Sequence, residues 1–328
     1  MGKVNARLRE TKWRESVIPF MGYGTSEHIR VMARVVLRPA KPQTQLGLAA
    51  DTFLGRRGWR NFMSAPVPRA QVSVEMGGSR VEVRTDRSGY VDVRLRIEGL
   101  TPGLHEARLV TPDGTTTGVP VQVYSSEETF GLVSDLDDTV ISTSLPRLFI
   151  AAWNSFVVTE EGRRAVPGMA RMYQHLLAEH PGAPVIYVST GAWNTYPFLQ
   201  RFLERHGFPS GAMLLTDWGP TNTGWFRSGQ EHKRMSLLQL SVDFPHLRWL
   251  LVGDDGQHDP EIYSEFASAN PQRVLGIALR QLSPAEHVLA HGTTEPLLED
   301  EGPTPVPVVR APDGRGLLQM ARERFGLL

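Results

Sequence analysis

The 328-residue chain contains no cysteine. That absence excludes disulfides, thiol nucleophiles and cysteine-ligated zinc or iron–sulfur centres. Long apolar runs are missing too. The longest strictly apolar stretch, Leu148 to Trp153, is far below the roughly 18–20 residues of a membrane span. No apolar stretch follows Arg7, Arg9, Lys12 and Arg14, so no secretory leader is expected. No sequence repeat is present, and neither sign of charge dominates, with 35 basic residues against 35 acidic ones. What remains, at 41% hydrophobic and 21% charged residues, is a globular chain able to bury real cores, with the length of about two domains. A cytoplasmic location is the expectation.

The charge is distributed unevenly. Residues 1–70 hold 13 basic and 4 acidic side chains, a net of +9 that leaves −9 on the remainder. A front end of that sign suits an anionic partner such as phospholipid or nucleic acid, or is a solvated basic surface. Within it, Arg56, Arg57 and Arg60 mix with Phe53, Trp59 and Phe62. This cluster fits a lipid interface, single-stranded nucleic acid or a loop packed over a sheet edge.

From Ala70 to Tyr124 short runs alternate between apolar and polar residues: QVSVEM, SRVEVRT, YVDVRLRI, HEARLVT and VPVQVYS. Turn signals separate them at Gly77-Gly78, Asp86 to Gly89, Pro102-Gly103 and Pro112 to Gly114. That rhythm predicts an antiparallel β-sandwich, which the strand candidate His28 to Leu37 joins. After Ser125 the pattern changes. Apolar segments at Thr129 to Asp135, Pro184 to Ser189, Met213 to Asp217, Leu247 to Asp254 and Val274 to Arg280 alternate with helical patterns. This alternation predicts a parallel sheet with helical crossovers. Residues 299–316 read as a Pro/Gly/acid-rich linker, followed by one short helix.

In an open α/β sheet, ligands bind beyond the carboxyl ends of the strands. Here those ends read Ser134-Asp135-Leu136-Asp137-Asp138-Thr139, Ser189-Thr190-Gly191 and Gly253-Asp254-Asp255-Gly256-Gln257-His258-Asp259, with Lys233 in the helix before the last. Asp135 and Asp137 lie two apart on an extended segment and leave the same face. One such carboxylate can attack phosphorus while the other protonates the leaving oxygen. An anionic nucleophile needs a cation beside an anionic phosphate, and magnesium, a hard ion wanting oxygen ligands, suits the role. Asp135, Asp137 and Asp254 are the candidate metal ligands, with Asp259 as a ligand or as an orienter of metal-bound water. Ser189 and Thr190, with neighbouring N–H groups, are the candidate phosphate binders, and Lys233 supplies fixed positive charge.

These motifs resemble those of the haloacid-dehalogenase superfamily of aspartyl-phosphate phosphotransferases. The resemblance implies Asp135 as nucleophile, Asp137 as general acid and base, Ser189 and Lys233 as phosphate binders and Asp254 at the magnesium site. The strings SDLDDTVIST, IYVSTGAWN, EHKRMSL, LLVGDDGQHDPEIY and MGYGTSEHIRVMARVVL are similar to the phosphatidate phosphatases of the actin-patch-protein type and their bacterial relatives. That family commonly reads Asn-Ser-Pro-Trp after the strand-two serine, where this chain has Thr190-Gly191-Ala192-Trp193, and it usually has Ser and Lys where this chain has Asp255 and His258.

The expected architecture is therefore α/β: a Rossmannoid parallel sheet of the haloacid-dehalogenase type with a small flap, preceded by an all-β, sandwich-like domain. The expected boundaries are a basic segment over 1–27, the β-domain over 28–125 with a basic and aromatic insertion near 47–66, the phosphatase domain over 126–298, and a linker with a helix over 299–328. The flap, Ile141 to Arg164, carries Leu145, Leu148, Phe149, Trp153 and Phe156, which either meet acyl chains or pack against the sheet. The resemblance implies magnesium-dependent conversion of phosphatidate to diacylglycerol at a membrane surface, with the chain peripheral to the bilayer and nucleic acid not the expected partner. The same chemistry on a phosphoprotein, a polynucleotide end or a soluble ester is the alternative, and a non-catalytic scaffold is the alternative of another class. The partner of the β-domain stays open.

Overall fold

The computed structural model describes residues 13–39, 64–142, 163–216, 229–256, 258–291, 294 and 304–326. The chain divides into two compact units, Met1–Ser125 and Ser126–Leu328.

In the first unit every described element is a strand: β1 (Trp13–Gly24), β2 (His28–Pro39), β3 (Ala65–Pro66), β4 (Gln71–Met76), β5 (Ser79–Arg84), β6 (Tyr90–Arg96), β7 (Gly103–Val110) and β8 (Thr116–Val123). Alternation works as read. Ile29, Val31, Ala33, Val35 and Leu37 of β2 all enter one apolar core, which also takes Val72 and Val74, Val91 and Leu95, Leu109, Val119 and Val121. The strands form a single eight-stranded sheet in the order β3-β2-β1-β8-β7-β4-β5, with β6 added on β2. The cause is β1. Its first half pairs antiparallel with β2, the register shifts between Phe20 and Tyr23, and Gly22 to Gly24 then run parallel to β8. Gly22 sits at that shift because any Cβ would press on the carbonyl of Arg30.

Residues 13–24 thus belong to the sheet rather than to a separate basic segment. Val17, Phe20 and Tyr23 are buried along β1, and this local pattern outweighs the regional charge count. The Arg and aromatic cluster at 53–62 lies outside the described residues.

The second unit contains β9 (Phe130–Ser134), β10 (Ile141–Ser142), β11 (Arg164–Ala165), α1 (Met169–Glu179), β12 (Val185–Ala192), α2 (Tyr196–Arg205), β13 (Ala212–Thr216), α3 (Gly229–Asp243), β14 (Arg248–Asp254), α4 (Asp259–Ala269), β15 (Val274–Arg280), α5 (Pro284–His291), β16 (Val308–Ala311) and α6 (Gly314–Phe325). Six strands form a parallel sheet in the order β13-β12-β9-β14-β15-β16. The chain winds outward on one side of β9, then returns to wind outward on the other. The carboxyl ends of β9 and β14 therefore flank the crevice where such sheets bind ligands.

The helices cover the sheet with apolar stripes at helical spacing, as in Met169, Met172, Tyr173 and Leu176 of α1. Gly131 in β9 lets the buried ring of Trp249 lie against the backbone, since a Cβ there would come within 2.5 Å of it. The linker expected over 299–316 is shorter than read. Val308–Ala311 adds an edge strand to β15, with Val309 and Ala311 buried. Asp313 then caps α6, accepting from the N–H groups of Arg315 and Gly316 at 3.0 and 2.9 Å. The short helix expected at the C-terminus is α6.

The two-residue pair β10 and β11 closes the base of the expected flap. The apolar flap residues Leu145, Leu148, Phe149, Trp153 and Phe156 lie outside the described residues. Among the described residues no helix is long and apolar enough to cross a membrane.

Candidate active site

The sheet sets the site by extending β9 into its loop. The Asp135 N–H donates to the Val252 carbonyl at 2.9 Å, so Asp135 leaves the sheet held as firmly as a strand residue. The chain then turns sharply. The Val140 and Ile141 N–H groups both return to the Leu136 carbonyl at 2.9 Å. Asp138 takes the left-handed conformation at φ 60°, which aspartate tolerates better than most side chains. Its N–H donates to the Ile141 carbonyl at 2.8 Å.

Lys233 reaches this loop end from the first turns of α3. Its Nζ lies 2.7 Å from Asp135 Oδ1 and also pairs with Asp259 Oδ1, so one ammonium bridges β9 and the N-terminus of α4. Asp254, at the tip of β14, accepts the Gly256 N–H at 2.8 Å. All four groups are at most 5% exposed. Ligand oxygens of Asp135, Asp254 and Asp259 lie within 4.8 Å of one another. In each of the three, Oδ2 is buried with no hydrogen-bond partner among the described residues.

Three carboxylates against one ammonium leave an excess of two negative charges in a dry setting. Burial holds the Asp135 carboxyl well above its ordinary range; Lys233 opposes this, while Asp259 and Asp137 reinforce it. Burial, then Asp259, Asp135 and Asp138, raise Asp254 likewise. For Lys233 burial pulls the other way, but Asp135 and Asp259 outweigh it and hold the ammonium charged. Three orphaned carboxylate oxygens and a charge deficit of two fit a hard divalent cation with oxygen ligands.

Asp137 stands apart from that group. Its Oδ2 accepts a hydrogen bond from Ser189 Oγ at 3.2 Å, and Ser189 in turn accepts from the Gly191 N–H at 2.9 Å. The structure therefore brings together Asp135, Lys233, Asp254 and Asp259 on one side and Asp137 with Ser189 on the other. The Asp137 carboxylate, read from sequence as a metal ligand, lies outside the three-carboxylate cluster, and Asp259 lies inside it. The Thr190 carbonyl accepts from Thr216 Oγ1 at 2.7 Å, which ties the β12 tip to β13. Asp255 turns away, accepting the Leu282 N–H at 2.8 Å beside His287. His258 faces Glu261 at 3.6 Å.

Two arginines were missed in the sequence. Arg163, immediately before β11, packs over the Phe198 ring with 4.6 Å to its centroid. Burial lowers its pKa to about 10 while the Asp137 charge opposes the fall, so a cation faces the Ser189 side of the site. Arg280 ends β15 and is buried behind the Asp138 turn. Neither belongs to a recognisable motif, and only the fold brings them near. The buried hydroxyl of Thr139 has no partner among the described residues.

With this geometry in view, the comparisons with known proteins are specific. Residues 130–281 match the family model "Phosphatidate phosphatase APP1, catalytic domain", a span that runs from β9 through β15 and contains every candidate site residue. The segment is similar to that catalytic-domain family, over a little less than half of the chain. The chain is 25% identical over 252 residues to phosphatidate phosphatase APP1 of Saccharomyces cerevisiae, covering 72% of this chain and 42% of that protein. It is also 25% identical over 152 residues to an uncharacterized protein of Schizosaccharomyces pombe, covering 46% of this chain and 25% of that one. The chain thus spans less than half the length of these curated relatives. Among solved structures, a carbohydrate acetylesterase from Xanthomonas citri aligns over 95% of this chain and 76% of its own at 11% identity and a TM-score of 0.31, too low to carry an argument about fold. The departures at Thr190-Gly191-Ala192 lie inside the matched catalytic domain.

Proposed function

We propose that the second unit is a magnesium-dependent phosphomonoesterase of the haloacid-dehalogenase type that forms a phospho-Asp135 intermediate, with phosphatidate as substrate and diacylglycerol as product. The observation that carries this reading is the buried Asp135–Lys233–Asp259 bridge beside Asp254, with three carboxylate oxygens left open. The catalytic-domain family of residues 130–281 supports the phosphatase chemistry and the lipid substrate.

Asp135, Asp254 and Asp259 would hold the ion through the oxygens that lack partners. When bound, a divalent ion neutralises the carboxylates and polarises a phosphoryl oxygen. The residues of the chain do the rest. Lys233 favours the charged form of Asp135 and orients it, and its positive charge faces the transferring phosphoryl group. The Asp135 oxygen on the Lys233 side, Oδ1, attacks phosphorus, the ester P–O bond breaks, and the leaving alkoxide takes the proton of the Asp137 carboxylic acid. The Asp137 carboxylate then removes a proton from water, whose oxygen attacks phosphorus and breaks the bond to Asp135. Phosphate leaves and both carboxyl groups are restored. Ser189 Oγ, next to Asp137, and the β12 backbone beyond it bind phosphoryl oxygens, and Arg163 adds a second cation on that side.

A lipid substrate would place the chain at a membrane periphery in the cytoplasm, with the headgroup entering at the strand tips. The test is a substrate panel with and without magnesium, comparing phosphatidate in mixed micelles with soluble esters. Turnover that requires magnesium, favours phosphatidate and disappears in Asp135→Asn is the expected result. Equal rates on soluble esters would remove the lipid assignment, and unchanged turnover in Asp135→Asn would remove the mechanism.

A further inference from the structure

Behind the reacting groups, Arg280 makes three bonds to three separate segments. Its Nη1 donates to the Asp138 carbonyl at 2.7 Å, Nη2 to Glu286 Oε1 at 2.5 Å and Nε to the Pro312 carbonyl at 3.3 Å. Its own carbonyl accepts the Asp255 N–H at 3.0 Å. One residue therefore fastens the turn after Asp137 through its side chain and the turn after Asp254 through its backbone.

The anchor at the far end is itself fixed. The second carboxylate oxygen of Glu286 accepts from the Ser283 N–H at 2.8 Å and from Ser283 Oγ at 2.9 Å, which locks it into the first turn of α5. The Arg280 side chain is only 6% exposed, so its guanidinium is largely shielded from water. The residue it holds sits in the left-handed region, Asp138 at φ 60°, a conformation that costs a non-glycine residue some free energy even where aspartate tolerates it better than most. Asp137 immediately precedes Asp138, and its carboxylate must stay beside Ser189.

We propose that Arg280 is a positioning residue for the general acid: by clamping the Asp138 carbonyl against Glu286 and Pro312 it holds the Asp137 carboxyl where it can protonate the leaving oxygen. The inference rests on the reading of Asp137 given above and extends it to residues that touch no substrate. Three donors in a fixed planar fork suit this task, and a lysine ammonium lacks that geometry. A displacement of about 1 Å at a reacting group costs on the order of 100-fold in rate.

Loss of the acid has a signature that a general loss of stability lacks. An alkyl phosphate has a poor leaving group that needs the proton, whereas 4-nitrophenyl phosphate expels a stable phenolate without it. Since kcat/KM covers steps only through release of that group, the ratio of kcat/KM for glycerol 1-phosphate to that for 4-nitrophenyl phosphate reads the acid directly. It is measured within one preparation of the full chain with magnesium, so unfolded protein cancels.

Asp137→Asn sets the scale of the drop. Arg280→Gln is expected to lower the ratio about tenfold or more, with the roughly 10²–10⁴-fold of full acid catalysis as the ceiling. Glu286→Gln lowers it in the same direction by less, and it carries the test if Arg280→Gln does not fold. Equal losses on both esters in the Arg280 and Glu286 variants, with a clear drop in Asp137→Asn, would overturn the proposal and leave the phosphatase reading intact. No drop in Asp137→Asn would overturn the acid assignment and the proposal with it.

Discussion

Lys233→Met removes the one ammonium that balances the buried carboxylates while keeping most of the side-chain volume. The two ion pairs it makes, to Asp135 at 2.7 Å and to Asp259, join residues that are at most 5% exposed. Breaking a buried pair from one side typically costs about 3–5 kcal/mol, because the remaining charge stays buried. In a unit of about 200 residues, 1 kcal/mol moves the midpoint by roughly 2–4 °C, so the melting temperature without divalent ions should fall by about 6–20 °C. The loss depends on pH. Asp135 and Asp254 have folded-state pKa values raised above their unfolded ones, so they favour folding near pH 4 and below, and that contribution is lost as pH rises. The destabilisation should therefore be larger at pH 8 than at pH 5. The assay is thermal denaturation of wild type, Lys233→Met and Lys233→Met/Asp259→Asn at both pH values. The double variant should recover part of the loss, because it removes one of the stranded charges. A single variant that melts with wild type at pH 8, or a double variant that melts lower than the single, would refute the reasoning.

Magnesium should stabilise the wild-type chain by about 2.7 kcal/mol at 100 times the dissociation constant, raising its melting temperature by roughly 5–11 °C. By differential scanning fluorimetry the rise should be larger at pH 8 than at pH 5, because protons compete for the raised carboxyls of Asp135 and Asp254; a shift that grows toward low pH would contradict the proposed ligand set. Arg163→Ala removes the cation that faces Asp137, and charge-assisted bonds of about 1.5–3 kcal/mol correspond to a fall in kcat/KM of about tenfold or more. Steady-state kinetics on both esters check it, and an unchanged kcat/KM would show that Arg163 does not meet the substrate.

Much of the second unit was legible because its strands are short apolar segments bounded by polar tips. The Asp135, Asp137, Ser189 and Asp254 positions follow once those tips share one edge of a parallel sheet. Composition misled at both ends of the chain. The basic residues of 1–27 concealed β1, whose buried Val17, Phe20 and Tyr23 are spaced three apart and show no strict alternation. The Pro, Gly and acidic residues of 299–316 concealed β16, which is only four residues long.

Within the site, residue type was legible but pairing was not. Lys233 and Asp259 lie on different helices, and nothing in their spacing shows that one ammonium serves two carboxylates. Asp137 was grouped with the metal ligands because it leaves the same face of an extended segment as Asp135. The turn at Asp138 ends that extension and sends its carboxylate to Ser189 instead. Arg163 and Arg280 look like any surface arginine until the flap base and β15 bring them to the loop after β9.

The most direct measurement is chemical trapping at Asp135. The full chain is mixed rapidly with magnesium and 4-nitrophenyl phosphate, quenched during turnover, reduced with borohydride and mapped by peptide mass spectrometry. An acyl phosphate on Asp135 is reduced to homoserine, so homoserine at position 135, dependent on substrate and absent from every other aspartate, is the expected result. An active enzyme with intact aspartate at position 135, or with the reduction at another residue, would contradict phosphoryl transfer through Asp135.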